Sequence, residues 1–342
     1  MPERIVVAST GGWESVSTKY RLGPVAETGL WPIDVLSAQA FPTVAEVDAI
    51  AERGGPGSLL ILQRVMPRSR EMRRLRGAYR RIYFDFDDAI YAVPPHVGGS
   101  RLTQTAKAAL RIPVRGYPRA SSRRRPLART LRQVDLCVAG NSILARFALG
   151  FAPTVVEIPT TVEPVDEPRP VQPETPTLVW IGVPGNLRFL ELLRRPLSEL
   201  GRDLDLRLRI VSSSTWSDSP IPVEFVRFSD RAARNALLTA SAGIAPLTDD
   251  PWTRGKCALR ALQYGAHGLP TVASPVGITD KIVVHDKTGY LARYPADWLR
   301  ALRTLINERA RASEMGSNAR ERVRSQYSNR RAIKLWTDAL CR

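Results

Sequence analysis

The chain has 342 residues, 44% of them hydrophobic, and carries a formal net charge of +17. That length exceeds one average domain and suits two of ordinary size, each with enough apolar side chains for a core. No apolar run approaches the roughly 20 residues that cross a bilayer, and the opening run Ile5-Val6-Val7-Ala8, broken at Gly11-Gly12, reads as a buried strand and its loop rather than a signal peptide. The three cysteines, Cys137, Cys257 and Cys341, have neither metal-ligand nor disulfide spacing, so a reduced cytoplasmic setting is expected. The charge comes from 44 Arg and 6 Lys, and from Arg64 to Arg132 there are 18 basic and 4 acidic residues. Such a stretch is either a solvated face or a surface for an anionic partner: a lipid headgroup, a phosphorylated carrier or a nucleic acid. Nucleic acid is the weakest of these, because no binding motif is visible and aromatic residues are not interleaved with the basic ones.

In chain order, strands are predicted at residues 4–8, 58–62, 81–86 and 136–139, with helices at 43–53 and 69–79 between them. Residues 96–126, rich in Gly, Pro, Ser and Arg, read as a long loop with one helix over 103–110. The segment 159–176 holds six prolines and has neither helical nor strand period, which marks a linker between domains. Alternation then restarts: strand 178–182, helix 187–200, strands 206–211 and 223–228, helix 232–240 and strand 242–246. Helix 256–267, strands 270–273 and 290–292, and two terminal helices over 296–308 and 311–326 complete it. Strands alternating with helices point to parallel sheets covered on both faces. The expected organisation is a first Rossmann-like domain over 1–163, a Pro-rich linker over 164–176, a second Rossmann-like domain over 177–325, and a final helix over 326–342 that packs back on the first. The default site of such a pair is a cleft between the domains.

The most specific run is Trp252-Thr253-Arg254-Gly255-Lys256-Cys257, followed by Leu262-Gln263-Tyr264, Gly268-Leu269-Pro270 and Ser274-Pro275-Val276-Gly277. In order and spacing it resembles the donor-binding signature of family 4 (group 1) glycosyltransferases, and especially a bacterial branch of that family. Met315-Gly316, Arg324 and Tyr327-Ser328 are similar to the family's closing helices. In the first half Lys19-Tyr20-Arg21, Leu62-Gln63-Arg64, the stretch Phe84-Asp85-Phe86-Asp87-Asp88-Ala89-Ile90-Tyr91, and Ala139-Gly140-Asn141 resemble the same branch. The resemblance implies a GT-B fold, two Rossmann-like domains facing each other across a cleft, and sugar transfer from a UDP-, GDP- or TDP-linked donor with retention of anomeric configuration. The nucleotide sugar is then a co-substrate, and no cofactor or metal is expected. Many relatives carry a Glu-x7-Glu pair at the positions of Gly255 and Gln263. Neither carboxylate is present here, although the Gln263 amide can still bind a hydroxyl.

The physical reading assigns roles to particular residues. Gly255 and Lys256 are expected to open a helix after a loop, so that free backbone N–H groups and the positive end of the dipole meet a diphosphate. Lys256, Arg254 and Arg188 are the expected catalytic cations, which stabilise charge growing on the leaving nucleotide. Gln263, seven residues after Lys256, is expected on the same helix face. Gly182 and Asn186, in the loop after the second domain's first strand, complete the donor set with Gly255, Lys256 and Gln263. On the acceptor side stand Gly11 and Gly12, then Lys19 and Arg21 on the following helix, and Asp85, Asp87 and Asp88 at a strand end. Asp85-Phe86-Asp87 also matches a metal-diphosphate chelate, because alternate carboxylates can bind one divalent ion. His96 and His267 read as ordinary residues. The acceptor is open; the basic stretch favours an anionic or lipid-linked one met at the inner face of a membrane. A GT-B epimerase or phosphorylase, or a non-enzymatic binder of anionic surfaces, are the competing functions.

Overall fold

A computed structural model describes residues 1–92, 120–167 and 173–342. The chain divides into two compact units. The first comprises Met1–Thr160, Asp250–Cys257 and Asn329–Arg342, and the second Thr161–Asp249 and Ala258–Ser328.

In the first unit, apolar runs form β1 (Arg4–Ser9), β3 (Ser58–Gln63), β4 (Arg81–Phe86) and β5 (Leu136–Ala139), joined by β2 (Ile33–Ser37) and β6 (Val155–Glu157). The order is β2-β1-β3-β4-β5-β6 and every pairing is parallel. The four central strands are those expected from sequence. β2 and β6 were missed because they are half-buried edges, and an edge strand needs no continuous apolar run. One face of the sheet is covered by α2 (Val44–Glu52), whose Thr43 and Glu46 form a capping box, with α3 (Ser69–Ala78), α4 (Ala120–Leu131) and α5 (Ser142–Ala148). The loop expected through Pro126 is a correction: Ala120–Leu131 is helical despite that proline, with Leu127 and Leu131 fully buried against the sheet's core. The helix expected over 103–110, His96 and much of the basic stretch lie outside the described residues.

The opposite face is covered by α1 (Val16–Ala26) and by the chain's final helix, which joins Ala332, Trp336, Ala339 and Leu340 to Leu22, Val25 and Tyr83. Tyr83 Oη donates to the Ala339 carbonyl at 3.1 Å.

The second unit has its own parallel sheet of β7 (Thr177–Ile181), β8 (Arg207–Ser212), β9 (Val223–Arg227), β10 (Ala242–Ala245), β11 (Thr271–Ala273) and β12 (Gly289–Leu291), in the order β12-β11-β10-β7-β8-β9. Its helices are α6 (Arg194–Asp203), α7 (Asp230–Leu238), α8 (Leu259–Ala266), α9 (Thr279–Ile282), α10 (Pro295–Asn307) and α11 (Arg309–Gln326); α12 (Asn329–Leu340) is the final helix of the first unit. The single helix expected over 187–200 is instead a 3-10 segment, Pro184–Leu193, followed by α6. Pro196 falls in the first turn of α6, where its missing N–H costs no hydrogen bond.

Two boundaries differ from the sequence reading. The second unit begins at Thr161, because the described part of the expected linker lies along its helices. Val162 N–H donates to the Tyr327 carbonyl and Val165 N–H to the Ala266 carbonyl, both within 3.0 Å, and Asp166 pairs with Arg324 at 2.5 Å. Residues 168–172 lie outside the described residues. More consequentially, Asp250–Cys257, placed by sequence in the donor-binding domain, belongs to the first unit. Among the described residues no helix is long and apolar enough to cross a membrane.

Candidate active site

Open α/β sheets gather ligands at the carboxyl ends of their strands, where the strand order reverses. In the first unit that place lies between β1 and β3, and in the second between β7 and β10.

At the first, β1 runs into Gly11 and Gly12, both with positive φ, on a short 3-10 turn that leaves Trp13 43% exposed. β3 runs into Arg64, a non-glycine residue at φ 59°. Left-handed backbone is strained for so large a side chain. It is held by the Arg64 N–H to the Asp85 carbonyl and by Arg64 Nη2 to Ser15 Oγ, both 3.0 Å. The Arg64 guanidinium lies 3.9 Å from Asp87 and 4.0 Å from Asp88, beyond hydrogen-bond distance of either. Asp88 is shared with Lys256, whose Nζ is 3.6 Å away and 3.8 Å above the Trp252 ring centroid. Burial pushes the Asp88 carboxyl above its ordinary range, opposed by Lys256 and Arg64.

Beneath this surface lies a fully buried polar network. Arg21 Nε and Nη2 grip Asp85 at 2.9 and 2.5 Å, and Arg21 Nη1 donates to the Ile158 carbonyl. Gln63 Nε2 donates to the other carboxylate oxygen, while Gln63 Oε1 accepts from Thr18 and Ser9. Burial opposes the charge on Arg21, yet Asp85 holds the guanidinium above its ordinary value. The acceptor-side roles expected of Arg21 and Asp85 are therefore corrected: both are spent on each other inside the core. The alternative reading of Asp85-Phe86-Asp87 as a chelate does not fit either, since the Asp85 carboxylate points to Arg21 and Gln63. Among the described residues no group of three or more His, Cys, Asp and Glu is placed to hold a metal ion. Asp87 and Asp88 stay at the strand end, half-buried, and Lys19 is exposed on α1.

The segment Asp250–Cys257 is fastened to this end of the first sheet. Asn141, the N-cap of α5, donates to the Gly255 carbonyl at 2.9 Å and to Cys257 Sγ at 3.3 Å. The Cys257 thiol donates to the Asp87 carbonyl at 3.1 Å, and burial pushes its pKa up to about 12. A Cβ on Gly255 would come 2.4 Å from that of Ala89, so only glycine fits. Gly255 and Lys256 do not open a helix, which corrects a second expectation. They close a 3-10 turn, Thr253–Gly255, and their N–H groups are used on the carbonyls of Trp252 and Thr253. Because α8 begins only at Leu259, Lys256 and Gln263 share no helix face. Arg254 is exposed.

In the second unit, β7 runs into Gly182 and the 3-10 segment that carries Asn186 and Arg188, the latter with its guanidinium 4.6 Å from the Phe189 ring centroid. Tyr264 of α8, fully buried, clasps the two strands at the reversal point. Its hydroxyl donates to the Ile244 carbonyl at 3.1 Å and accepts from the Ile181 N–H at 3.3 Å. One turn earlier Arg260 reaches the same place, with Nε donating to the Ile181 carbonyl at 2.6 Å. Gln263 is half-buried, and its carbonyl faces the ring of His267. The structure thus divides the expected donor set: Gly182, Asn186, Arg188 and Gln263 stand in the second unit, and Arg254, Gly255 and Lys256 in the first. Sequence reasoning missed Arg64, Trp13 and Arg260. The available signal for Arg260 was a cation in the first turn of a helix that is otherwise mostly apolar.

Residues 188–338 match the family model described as glycosyl transferase-like. No curated protein matches the chain. Among solved structures, the chain is similar to sucrose-phosphate synthase from Thermosynechococcus elongatus, at 15% identity and a TM-score of 0.71, covering 98% of each chain. It is also similar to Anabaena Alr3699/HepE in complex with UDP and glucose, at 11% identity and a TM-score of 0.68, covering 99% of each. A third is a S. aureus TarM variant in complex with fondaparinux, alpha-GlcNAc-glycerol and UDP, at 13% identity and a TM-score of 0.62, covering 85% of this chain but 57% of TarM. At such identities the likeness speaks of the fold, and the fold is GT-B.

Proposed function

We propose that the chain is a glycosyltransferase that moves a sugar from a nucleotide-sugar donor to an acceptor hydroxyl, with retention of anomeric configuration. The observation that carries this reading is the match of residues 188–338 to the glycosyl transferase-like model, because those residues supply most of the second unit's sheet and its carboxyl end. The UDP bound by HepE and TarM supports a nucleoside diphosphate as the donor's leaving part. Retention rests on the resemblance to family 4.

The donor is assigned to the β7/β10 end of the second unit, with Gly182, Asn186, Arg188 and Gln263. The acceptor is assigned to the carboxyl end of the first sheet, where Asp88 can accept from a hydroxyl while Lys256 and Arg64 balance its charge. Arginines and backbone amides, rather than a divalent ion, then meet the diphosphate, and no cofactor takes part.

The test is mass spectrometry of products after offering a panel of UDP-, GDP- and TDP-sugars, with NMR of the product's anomeric centre. Transfer in excess EDTA is expected, and loss restored by manganese overturns the metal-free mechanism. Rearranged donor without a transfer product would move the assignment to an epimerase, and phosphate-dependent cleavage to a phosphorylase. The anionic or lipid-linked acceptor rests on the charge between Arg64 and Arg132. Flotation with anionic but not neutral liposomes, weakening as salt is raised, is the expected result; failure to float at low salt shifts the acceptor to a soluble molecule.

A further inference from the structure

β5 ends in Ala139-Gly140-Asn141, beside the strand end that leads to Asp87 and Asp88. Asn141 is fully buried and uses its whole hydrogen-bonding capacity. Its Oδ1 accepts from the N–H groups of Ile143 and Leu144, both at 3.0 Å, and so caps α5. Those backbone donors can meet only the oxygen, which fixes the orientation of the amide and turns Nδ2 the other way. Nδ2 then donates to the Gly255 carbonyl at 2.9 Å and to Cys257 Sγ at 3.3 Å. The residue between these two acceptors is Lys256. The Cys257 thiol in turn donates to the carbonyl of Asp87, the neighbour of Asp88.

Capping alone does not call for asparagine. Ser and Asp cap helices about as well, yet neither can donate two hydrogen bonds while it accepts two. Glutamine could, but it carries the amide one methylene farther out. The residue type at 141 therefore answers to the segment Asp250–Cys257 as much as to the helix. Two glycines let that segment come close: a Cβ on Gly140 would lie 2.6 Å from Cys257 Sγ, and one on Gly255 would lie 2.4 Å from that of Ala89. The backbone is thus held on both sides of Lys256. Its flexible stem then places Nζ 3.6 Å from Asp88 and 3.8 Å above the Trp252 ring centroid. At that separation the pair is held by charge rather than by a direct hydrogen bond, so its strength follows the position of the backbone.

We infer that Asn141 is a positioning residue: by gripping the residues on both sides of Lys256 it keeps the ammonium against Asp88 at the acceptor end. The proposal rests on the reading of that end as the acceptor site of a transferase. It makes Asn141 act through Lys256 as well as through α5, and the two roles separate when the cap is kept and the donors are removed. Burial raises the Asp88 carboxyl and Asp87 adds to the rise, while Lys256 and Arg64 oppose it. An ammonium that drifts away therefore lets Asp88 titrate at still higher pH. A residue that only caps α5 leaves that titration where it was.

The experiment uses the full-length protein with Asn141→Ser, a neutral residue that caps but is too short to span Gly255 and Cys257. Asp88 is titrated by NMR of labelled carboxyl groups, assigned with Asp88→Asn. Turnover on the preferred donor and Kd by calorimetry for UDP, GDP and TDP are measured beside it. Expected are an upward shift of the Asp88 titration, turnover lower on the order of tenfold, and unchanged Kd for the nucleotide, whose site is assigned to the second unit. An Asp88 titration equal to the parent's overturns the proposal, whether or not the parent transfers sugar. Turnover and nucleotide affinity lost in equal measure mark a merely structural residue and overturn it too. Where the serine variant does not fold, Asn141→Asp takes its place, since it has the same size, caps well and has no donor hydrogens at neutral pH. Turnover equal to the parent's in that variant overturns the proposal. A parent that transfers no sugar from any donor of the panel overturns the transferase reading, and the Asp88 titration still decides the role of Asn141.

Discussion

Two carboxylates three residues apart show how far environment, rather than residue type, decides a role. Asp85 is the acid of a buried pair that also accepts from Gln63, whose own Oε1 accepts from Thr18 and Ser9. Removing one partner of such a pair strands the other charge in the core, so Asp85→Asn or Arg21→Met alone should cost about 3–5 kcal/mol in urea unfolding of the first unit. A loss below 1 kcal/mol would return Asp85 to the surface chemistry that its sequence suggested. Asp88, by contrast, keeps a third of its side chain exposed and meets Lys256 and Arg64 at long range. Its pKa is raised in the fold, so the folded chain holds this proton at pH values where the unfolded chain has released it. Stability therefore falls as pH rises from the ordinary carboxylate range through the raised value. Asp88→Asn should flatten that fall, and an unchanged slope of stability against pH would show that Asp88 is not its source. Lys256→Ala should lower turnover in a protein that still folds, because Asp88 at the assigned acceptor end loses the cation that balances its charge. Unchanged kinetics would remove Lys256 from the mechanism. The strand-end acids and the Gly255-Lys256-Cys257 run were legible from spacing and resemblance. Their partners were not, because residue type alone does not tell a carboxylate buried against Arg21 from one at the rim.

Among the elements, those with a continuous apolar run or a strong cap were legible: the central strands of both sheets, α2 with its Thr43 box, and α8. The half-buried edges β2 and β6 escaped because their pattern is set by a neighbour on one side only. The Pro-containing α4 escaped because tertiary burial of Leu127 and Leu131 outweighs a local breaker. The final helix illustrates the converse. α12 has few signals of its own, yet Trp336 is 1% exposed and sits with Leu22 and Val25 in the core of the first unit. Trp336→Ala should cost about 3–5 kcal/mol, read as a shift of the first unit's unfolding transition. An unaltered transition would mean that α12 is an ornament rather than a wall of that core.

For the whole molecule, the sequence predicted two domains in succession with a final helix returning to the first, and the structure has two units that also exchange the segment Asp250–Cys257. The chain passes from the first to the second at Thr161, returns for Asp250–Cys257, leaves again at Ala258 and comes back at Asn329. Neither unit is a contiguous stretch. A fragment of residues 1–163 should therefore be aggregation-prone or molten, lacking both α12 and the segment that covers Asn141 and Ala89. The same fragment joined by a flexible linker to residues 329–342 should recover part of its cooperative unfolding. A well-folded 1–163 would show that the returning segments contribute little. This lacing also governs how the protein can be recombined. A chimera made by cutting once in the proline-rich stretch would import a relative's Gly255 loop against this chain's Ala89, where a single foreign methyl group leaves no room. Successful grafts of the second unit should need four seams, before Thr161, Asp250, Ala258 and Asn329, so that Asp250–Cys257 stays with the chain that supplies Asp87, Asp88 and Asn141. Natural exchange of donor modules among relatives should leave the same footprint: a short island of one parentage embedded in the other.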